Sequence, residues 1–243
     1  MINMKKEEFI KRVNPLLLKG IAHRGLHNEK FTENGLLAFK NAIDHNVAIE
    51  LDVHLTKDDR LIVCHDDDLV RTTGKEGIIE ELTVSEIKSN YKLLDGEEVP
   101  LFEEVLSLIN EKVPLVIELK VRNANYKALA QRLLYELRDI KDKRNYHLIS
   151  FDPRALLEMK KIDITNSLLV TTSHIWTFRL RYLFDSVDLE YKMINMPKVR
   201  KYQKKHFVNV WTIETLDELN LIKGKVDTIT FQKLDPKLIS GSL

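Results

Sequence analysis

Six residues suited to chemistry fall within one stretch, His23 to Gly74: His23, Arg24, Asn34, Glu50, Asp52 and His65. They are the parts of a metal-assisted reaction on a phosphate ester. Carboxylates are hard oxygen ligands for a divalent cation, imidazoles carry protons near neutral pH, and a guanidinium grips an anion. Glu50 and Asp52 are two apart in Ile49-Glu50-Leu51-Asp52-Val53. Alternate side chains of a strand share a face, so both carboxylates point one way and Ile49, Leu51 and Val53 the other. Two like charges that close repel each other unless a cation lies between them.

His65 ends the run Leu61-Ile62-Val63-Cys64. The residues between Val53 and Leu61 are too few for a parallel crossover, so the spacing predicts an antiparallel hairpin turning at Asp58-Asp59. A two-residue turn there sets His65 directly opposite Asp52, on the same face. Cys64 then points to the apolar side, as a small core residue rather than a reactive thiol.

Such a cluster needs a scaffold that gathers distant strand ends. The hydrophobic pattern supplies eight β-then-α units. The first strand is Gly20-Ile21-Ala22-His23, followed by an amphipathic helix from Asn34 to Asn46 and a second strand from Ala48 to Val53. After the hairpin, residues 66–99 form a polar stretch, too long for a bare connection, and Pro100 opens a helix to about Asn110. Further strands are expected near 113–119, 146–150, 167–171, 191–196, 207–212 and 226–231, with helices near 125–139, 153–161, 175–184, 198–206 and 215–222. The expected fold is α/β, a single (β/α)8 TIM barrel over residues 1–243 with a small insertion subdomain at about 55–99 after the second strand. Phe9, Ile10, Val13 and Leu17 have helical spacing and are expected to pack on the barrel floor. The twelve residues after Phe231 are short for a last outer helix, so either the N-terminal helix fills that gap or the barrel is open there.

Hydrophobic residues make up 44% of the 243, enough for a full core. A net charge of +1 gives no general pull toward nucleic acid or anionic membranes. The single cysteine excludes an internal disulfide and a thiolate metal site. No run approaches the length of a membrane span, and Leu16-Leu17-Leu18 is too short for a signal core, so stable membrane insertion is not expected and a cytoplasmic location is.

The segment resembles the glycerophosphodiester phosphodiesterase family. The matching pieces are His23-Arg24-Gly25, Glu33-Asn34, Ile49-Glu50-Leu51-Asp52-Val53, Thr56-Lys57-Asp58, His65-Asp66 and Arg71-Thr72-Thr73. Weaker ones follow at Pro100 to Val105, Ile117-Glu118-Leu119-Lys120, Ser150-Phe151 and Trp211-Thr212. Thr32, Gly35 and Asp59 depart from the usual Pro, Thr and Gly without removing a chemical group. The resemblance implies a TIM barrel that cleaves glycerophosphodiesters to sn-glycerol 3-phosphate and an alcohol. It implies Glu50, Asp52 and Glu118 as ligands of one divalent cation, Mg²⁺ or Ca²⁺. It implies His23 and His65 as proton carriers, with His65 assigned as base and His23 as acid. Arg24 and Lys120 are expected on the phosphate and Trp211 against the glycerol, with Asn34 either contacting substrate or serving as a helix N-cap.

Three rival functions share some of these residues. A sphingomyelinase D-like phospholipase needs an apolar entry, for which Ile175, Trp176, Phe178, Tyr182 and Phe184 are candidates. A glycosidase would use Glu50 and Glu118 and resist chelation. A non-catalytic head-group binder would lack a catalytic group, and none is missing.

Overall fold

A computed structural model of the chain describes residues 4–239. The described residues form nine strands: β1 (Ile21–Ala22), β2 (Ala48–Leu55), β3 (Leu61–Val63), β4 (Leu115–Leu119), β5 (Tyr146–Ser150), β6 (Thr165–Val170), β7 (Ser186–Glu190), β8 (Val208–Ile213) and β9 (Thr228–Phe231). All but β3 are parallel, and β1 pairs with both β2 and β9, which closes an eight-stranded barrel. The open alternative therefore falls.

Strand alternation sorts the side chains into two shells. Outward residues such as Ile49, Leu51, Ile117, Leu148 and Val187 join the surrounding helices in the main core. Inward residues Ile21, Ala48, Val116, Ile149 and Leu169 pack with Phe9, Val13, Leu17 and Phe207. The N-terminal helix Lys6–Arg12 thus caps the barrel floor as expected, except that Ile10 is 38% exposed. At the C-terminal end of the chain the outer ring holds the short helix Pro236–Ile239, whose Ile239 is buried. Above the floor, the interior turns polar: His147 bonds Thr165 (2.8 Å) and Ser167 (2.7 Å), and Asn209 donates to Asp188 and Thr230, both at 2.9 Å.

Two local expectations fail. The seventh strand lies at 186–190, not 191–196. Ser186 and Asp188 point inward between apolar Val187 and Leu189, so a true barrel strand reads as half polar, whereas Met193 and Ile194 are buried in the turn that follows. The hairpin is also out of the expected register. Val53 pairs with Val63 and Leu55 with Leu61, so Cys64, not His65, follows opposite Asp52, with Cys64 N donating to Asp52 O at 3.2 Å. The cause is a five-residue turn, 56–60. Thr56 N bonds Arg60 O (2.9 Å), the Thr56 hydroxyl bonds Asp58 (2.7 Å), and Asp59 takes a left-handed φ of 57°.

Ile62 of β3 and the residues that follow it pack into a small core of their own, with Cys64, Leu69, Ile79, Ile87 and Tyr91 among its members. Cys64 is buried there and its thiol is pushed up to about 12 by that burial, so it stays protonated. No helix among the described residues is long and apolar enough to cross a membrane.

Candidate active site

The C-terminal mouth of the barrel collects the predicted residues from five separate strands or their ends, β1, β2, β3, β4 and β8, with Asn34 from the loop after β1. Glu50 and Asp52 project inward from β2, and Glu118 from β4, where Asp52 pairs with Glu118 in register. One carboxylate oxygen from each lies within 4.8 Å of the other two, and all three side chains are buried. Asp52 Oδ1 has no hydrogen-bond partner. Three hard oxygens converging at that spacing, one of them without a hydrogen-bond donor, fit a divalent cation with substrate oxygens or water completing its shell.

The electrostatics of the trio point the same way. Burial, then repulsion from Asp52 and Glu118, pushes the Glu50 carboxyl well above its usual range. Burial also raises Glu118 to about 7, against the pull of Lys120. Asp52 goes the other way: burial opposes its charge, but Lys120, His65 and Arg24 outweigh it. Lys120 sits 3.0 Å from Glu118 Oε1 and 3.6 Å from Asp52 Oδ1, at the edge of the trio where a phosphate would meet it.

Arg24 and Gly25 leave β1 in left-handed backbone, φ 55° and 81°. A side chain at residue 25 would meet Phe39 at 2.9 Å, so glycine alone fits there. The turn aims Arg24 N at Glu50 Oε2 (2.9 Å) and the guanidinium toward the mouth, 2.8 Å from Glu33 and 3.5 Å from Asp52. Asn34 is buried, and its amide donates to Asp52 Oδ2 at 3.0 Å. It is not the helix N-cap. Gly35 holds that position before the helix Leu36–Asp44, while Asn34, at φ 57°, is turned onto the carboxylate.

His23 and His65 line the same small cavity as Glu50, Glu118, Arg24 and Trp211. His65 reaches it although the ladder pairs Cys64 with Asp52, because the chain leaves the strand after Val63 and alternation no longer binds it. Buried His54 holds the His65 carbonyl at 3.1 Å. Behind each catalytic candidate stands a partner. His65 Nδ1 meets Asp66 at 2.6 Å, and His23 Nδ1 meets Gln232 Oε1 at 2.7 Å. Gln232 gives its amide N–H to Glu214 at 2.6 Å, which fixes its oxygen toward His23. His23 Nδ1 must then carry the proton, leaving Nε2 basic. Burial, helped by Arg24, holds His23 down to about 4, and burial also lowers His65.

Glu33, Asp66, Arg71 and Gln232 had no assigned role in the sequence. Glu33, Asp66 and Arg71 stood inside the motifs without a visible partner. Gln232 carries only the signal that it directly follows a barrel strand. Of the five candidates for an apolar entry, Trp176 lines a cavity at the mouth, whereas Phe178 and Phe184 are buried in the core. Ile175 packs on that core, and Tyr182 stands edge-on to Tyr202.

A parallel barrel with buried acids, paired imidazoles and two cations at its C-terminal mouth defines an enzyme of the phosphodiesterase class. The Glycerophosphoryl diester phosphodiesterase family profile matches residues 23–235. The chain belongs to that family. The glycerophosphodiester phosphodiesterase of Caldanaerobacter subterraneus subsp. tengcongensis is 31% identical over 223 residues, spanning 86% of this chain and 91% of its own. A crystal structure of a glycerophosphodiester phosphodiesterase from Parabacteroides distasonis matches with a TM-score of 0.73 at 27% identity, over 87% of this chain and 91% of that one. The Oleispira antarctica phosphodiesterase solved with sn-glycerol-3-phosphate shares the fold, with a TM-score of 0.77 at 23% identity over 87% and 91% of the two chains.

Proposed function

We propose that this enzyme hydrolyses glycerophosphodiesters to sn-glycerol 3-phosphate and an alcohol, with Glu50, Asp52 and Glu118 holding one divalent cation. The observation that carries the reading is one cavity lined by both His23 and His65 together with Glu50, Glu118 and Arg24. When bound, Mg²⁺ or Ca²⁺ would offset charge on the phosphate as the new P–O bond forms.

The chain's own residues do the rest. Arg24 and Lys120 grip the phosphate, and Trp211 faces the glycerol. Asn34 orients Asp52 from behind. His23, uncharged and with Nε2 free, takes the proton of the glycerol hydroxyl next to the phosphorylated carbon. That oxygen attacks phosphorus, and the bond to the alcohol oxygen breaks. His65 gives the leaving oxygen its proton, and the Asp66 carboxylate at 2.6 Å partly offsets the burial that lowers its pKa. Water then opens the cyclic phosphate with the two histidines in reversed roles. This order is the opposite of the sequence-based assignment. Gln232 and Asp66 each take an Nδ1 proton and leave Nε2 free, so the tautomers serve either order. The stronger lowering of His23, to about 4, is what favours it as the base.

The test is an assay of glycerophosphocholine with Mg²⁺, Ca²⁺ or chelator, scoring sn-glycerol 3-phosphate. Full turnover after exhaustive chelation would overturn the cation's part. No product under any condition would overturn the activity.

A further inference from the structure

A phosphodiester has two arms, and the mouth of this barrel has two compartments of unequal size. The inner one, about 100 Å³, holds His23, Arg24, His65, Trp211 and Thr230. The outer one, about 730 Å³, runs between the loops that follow β4, β5 and β6. They meet at Glu118, Phe151 and Leu169, which line both. Phe151 stands edge-on to Trp211 with ring centres 5.7 Å apart, so the two rings form the partition. A phosphate gripped by Arg24, which lines the inner compartment, and Lys120, which lines the outer one, therefore sends one arm into each.

The outer wall is chiefly apolar. Leu119, Val121, Phe151, Pro153, Leu169 and Trp176 line it, and Phe151 and Trp176 remain 42% and 57% exposed. Its charges are already matched. Arg154 bonds Asp152 at 2.7 Å, Lys120 lies 3.0 Å from Glu118, and Asp67 lies 3.5 Å from Arg122. A large apolar cavity whose charged groups are paired suits an uncharged, hydrophobic occupant better than a cationic head group. The inner compartment, too small for a long chain, takes the glycerol.

We infer that the outer compartment is a leaving-group subsite for alcohols with an apolar chain, so that glycerophosphodiesters of such alcohols are better substrates than those of compact polar ones. Trp176 and Phe151 are its specificity-determining side chains. The inference rests on the proposed activity and deepens it.

The experiment measures kcat/KM for glycerophosphodiesters of ethanol, butanol and hexanol and for glycerophosphocholine, below micelle-forming concentrations, in wild type and Trp176→Ala. For wild type, kcat/KM should rise about twofold to fourfold per added methylene. Trp176→Ala should flatten that rise, lowering kcat/KM for the hexyl diester far more than for the ethyl one, and a thermal melt shows that the variant is folded. A flat series with all diesters cleaved, or choline preferred over hexanol, would overturn the subsite while leaving the activity standing. A series unaffected by Trp176→Ala would also overturn it. Failure to cleave any diester would instead overturn the activity itself, and the subsite with it.

Discussion

Arg71 meets Glu33 through two parallel bonds, Nη1 to Oε2 and Nη2 to Oε1, both 2.8 Å. Each partner has a second duty. Glu33 also accepts from Arg24 at 2.8 Å, and Arg71 Nε donates to Asp66 at 2.6 Å. The pair therefore ties Arg24, the proposed phosphate grip, to Asp66, which bonds His65. Lysine cannot make this two-sided bridge. Arg71→Lys should lower kcat about tenfold with the fold intact, as losses behind a working group typically do. Steady-state kinetics of the variant check this, and wild-type kcat in Arg71→Lys would show the bridge to be ornamental.

Removing a ligand should cripple both cation binding and turnover. Glu50→Gln, Asp52→Asn and Glu118→Gln each delete a charged oxygen from a site whose donors lie within 4.8 Å of one another. Calorimetric titration with Mg²⁺ and Ca²⁺ should show affinity reduced by about 100-fold or more, with activity falling in parallel. Unchanged calorimetric isotherms would place the cation elsewhere.

Without the cation, the acid trio should destabilise the fold at high pH. Burial raises Glu118 from 4.5 to about 7. The folded state thus binds a proton that the unfolded chain releases, and this contribution is full below 4.5 and lost as pH rises through 7. It is worth at most about 3 kcal/mol. Thermal melts of chelated protein should fall over that window, and Glu118→Gln should flatten the fall. A pH dependence identical in chelated wild type and Glu118→Gln would contradict the argument.

On the acid side the interior histidine acts in the opposite sense. Burial lowers His147 from 6.5 to about 3, where it bridges Thr165 and Ser167 uncharged. Its contribution is complete above 6.5 and drains away as pH falls toward 3, at up to about 1.4 kcal/mol per pH unit. Urea unfolding at pH 7 and pH 5 should show this loss, and His147→Gln should reduce the difference between the two values. An equal difference in the variant would assign the acid sensitivity to another group.

The order of proton transfer can be read with a leaving group that needs no proton. His23→Asn and His65→Asn should each cost about 100-fold to 10,000-fold on an alkyl diester. With p-nitrophenol as leaving group, His65→Asn should recover most of its activity and His23→Asn should not. Recovery by His23→Asn instead would restore the reverse assignment.

Much of the site was legible because it rests on local rules. Two-residue alternation alone puts Glu50 and Asp52 on one face and sends Ile49, Leu51 and Val53 to the helices, as β2 does. The succession of strands and helices announced a barrel, and a barrel gathers its strand ends at one mouth. The seventh strand escaped the same reading because its inward positions, Ser186 and Asp188, are polar and broke the apolar signal.

Tertiary structure decided whatever depends on register and closure. The hairpin register follows a five-residue turn in place of a two-residue one, held by Thr56 bonds to Asp58 and Arg60 and by left-handed Asp59. The tautomer of His23 depends on Gln232, 209 residues away, and the two meet only because β1 pairs with β9. Phe151 and Trp211 come from different strand ends, after β5 and in β8, and meet ring to ring only in the closed barrel. A sequence states which side chains share a strand face. Which strand ends become neighbours follows only once burial of the apolar shell closes the ring.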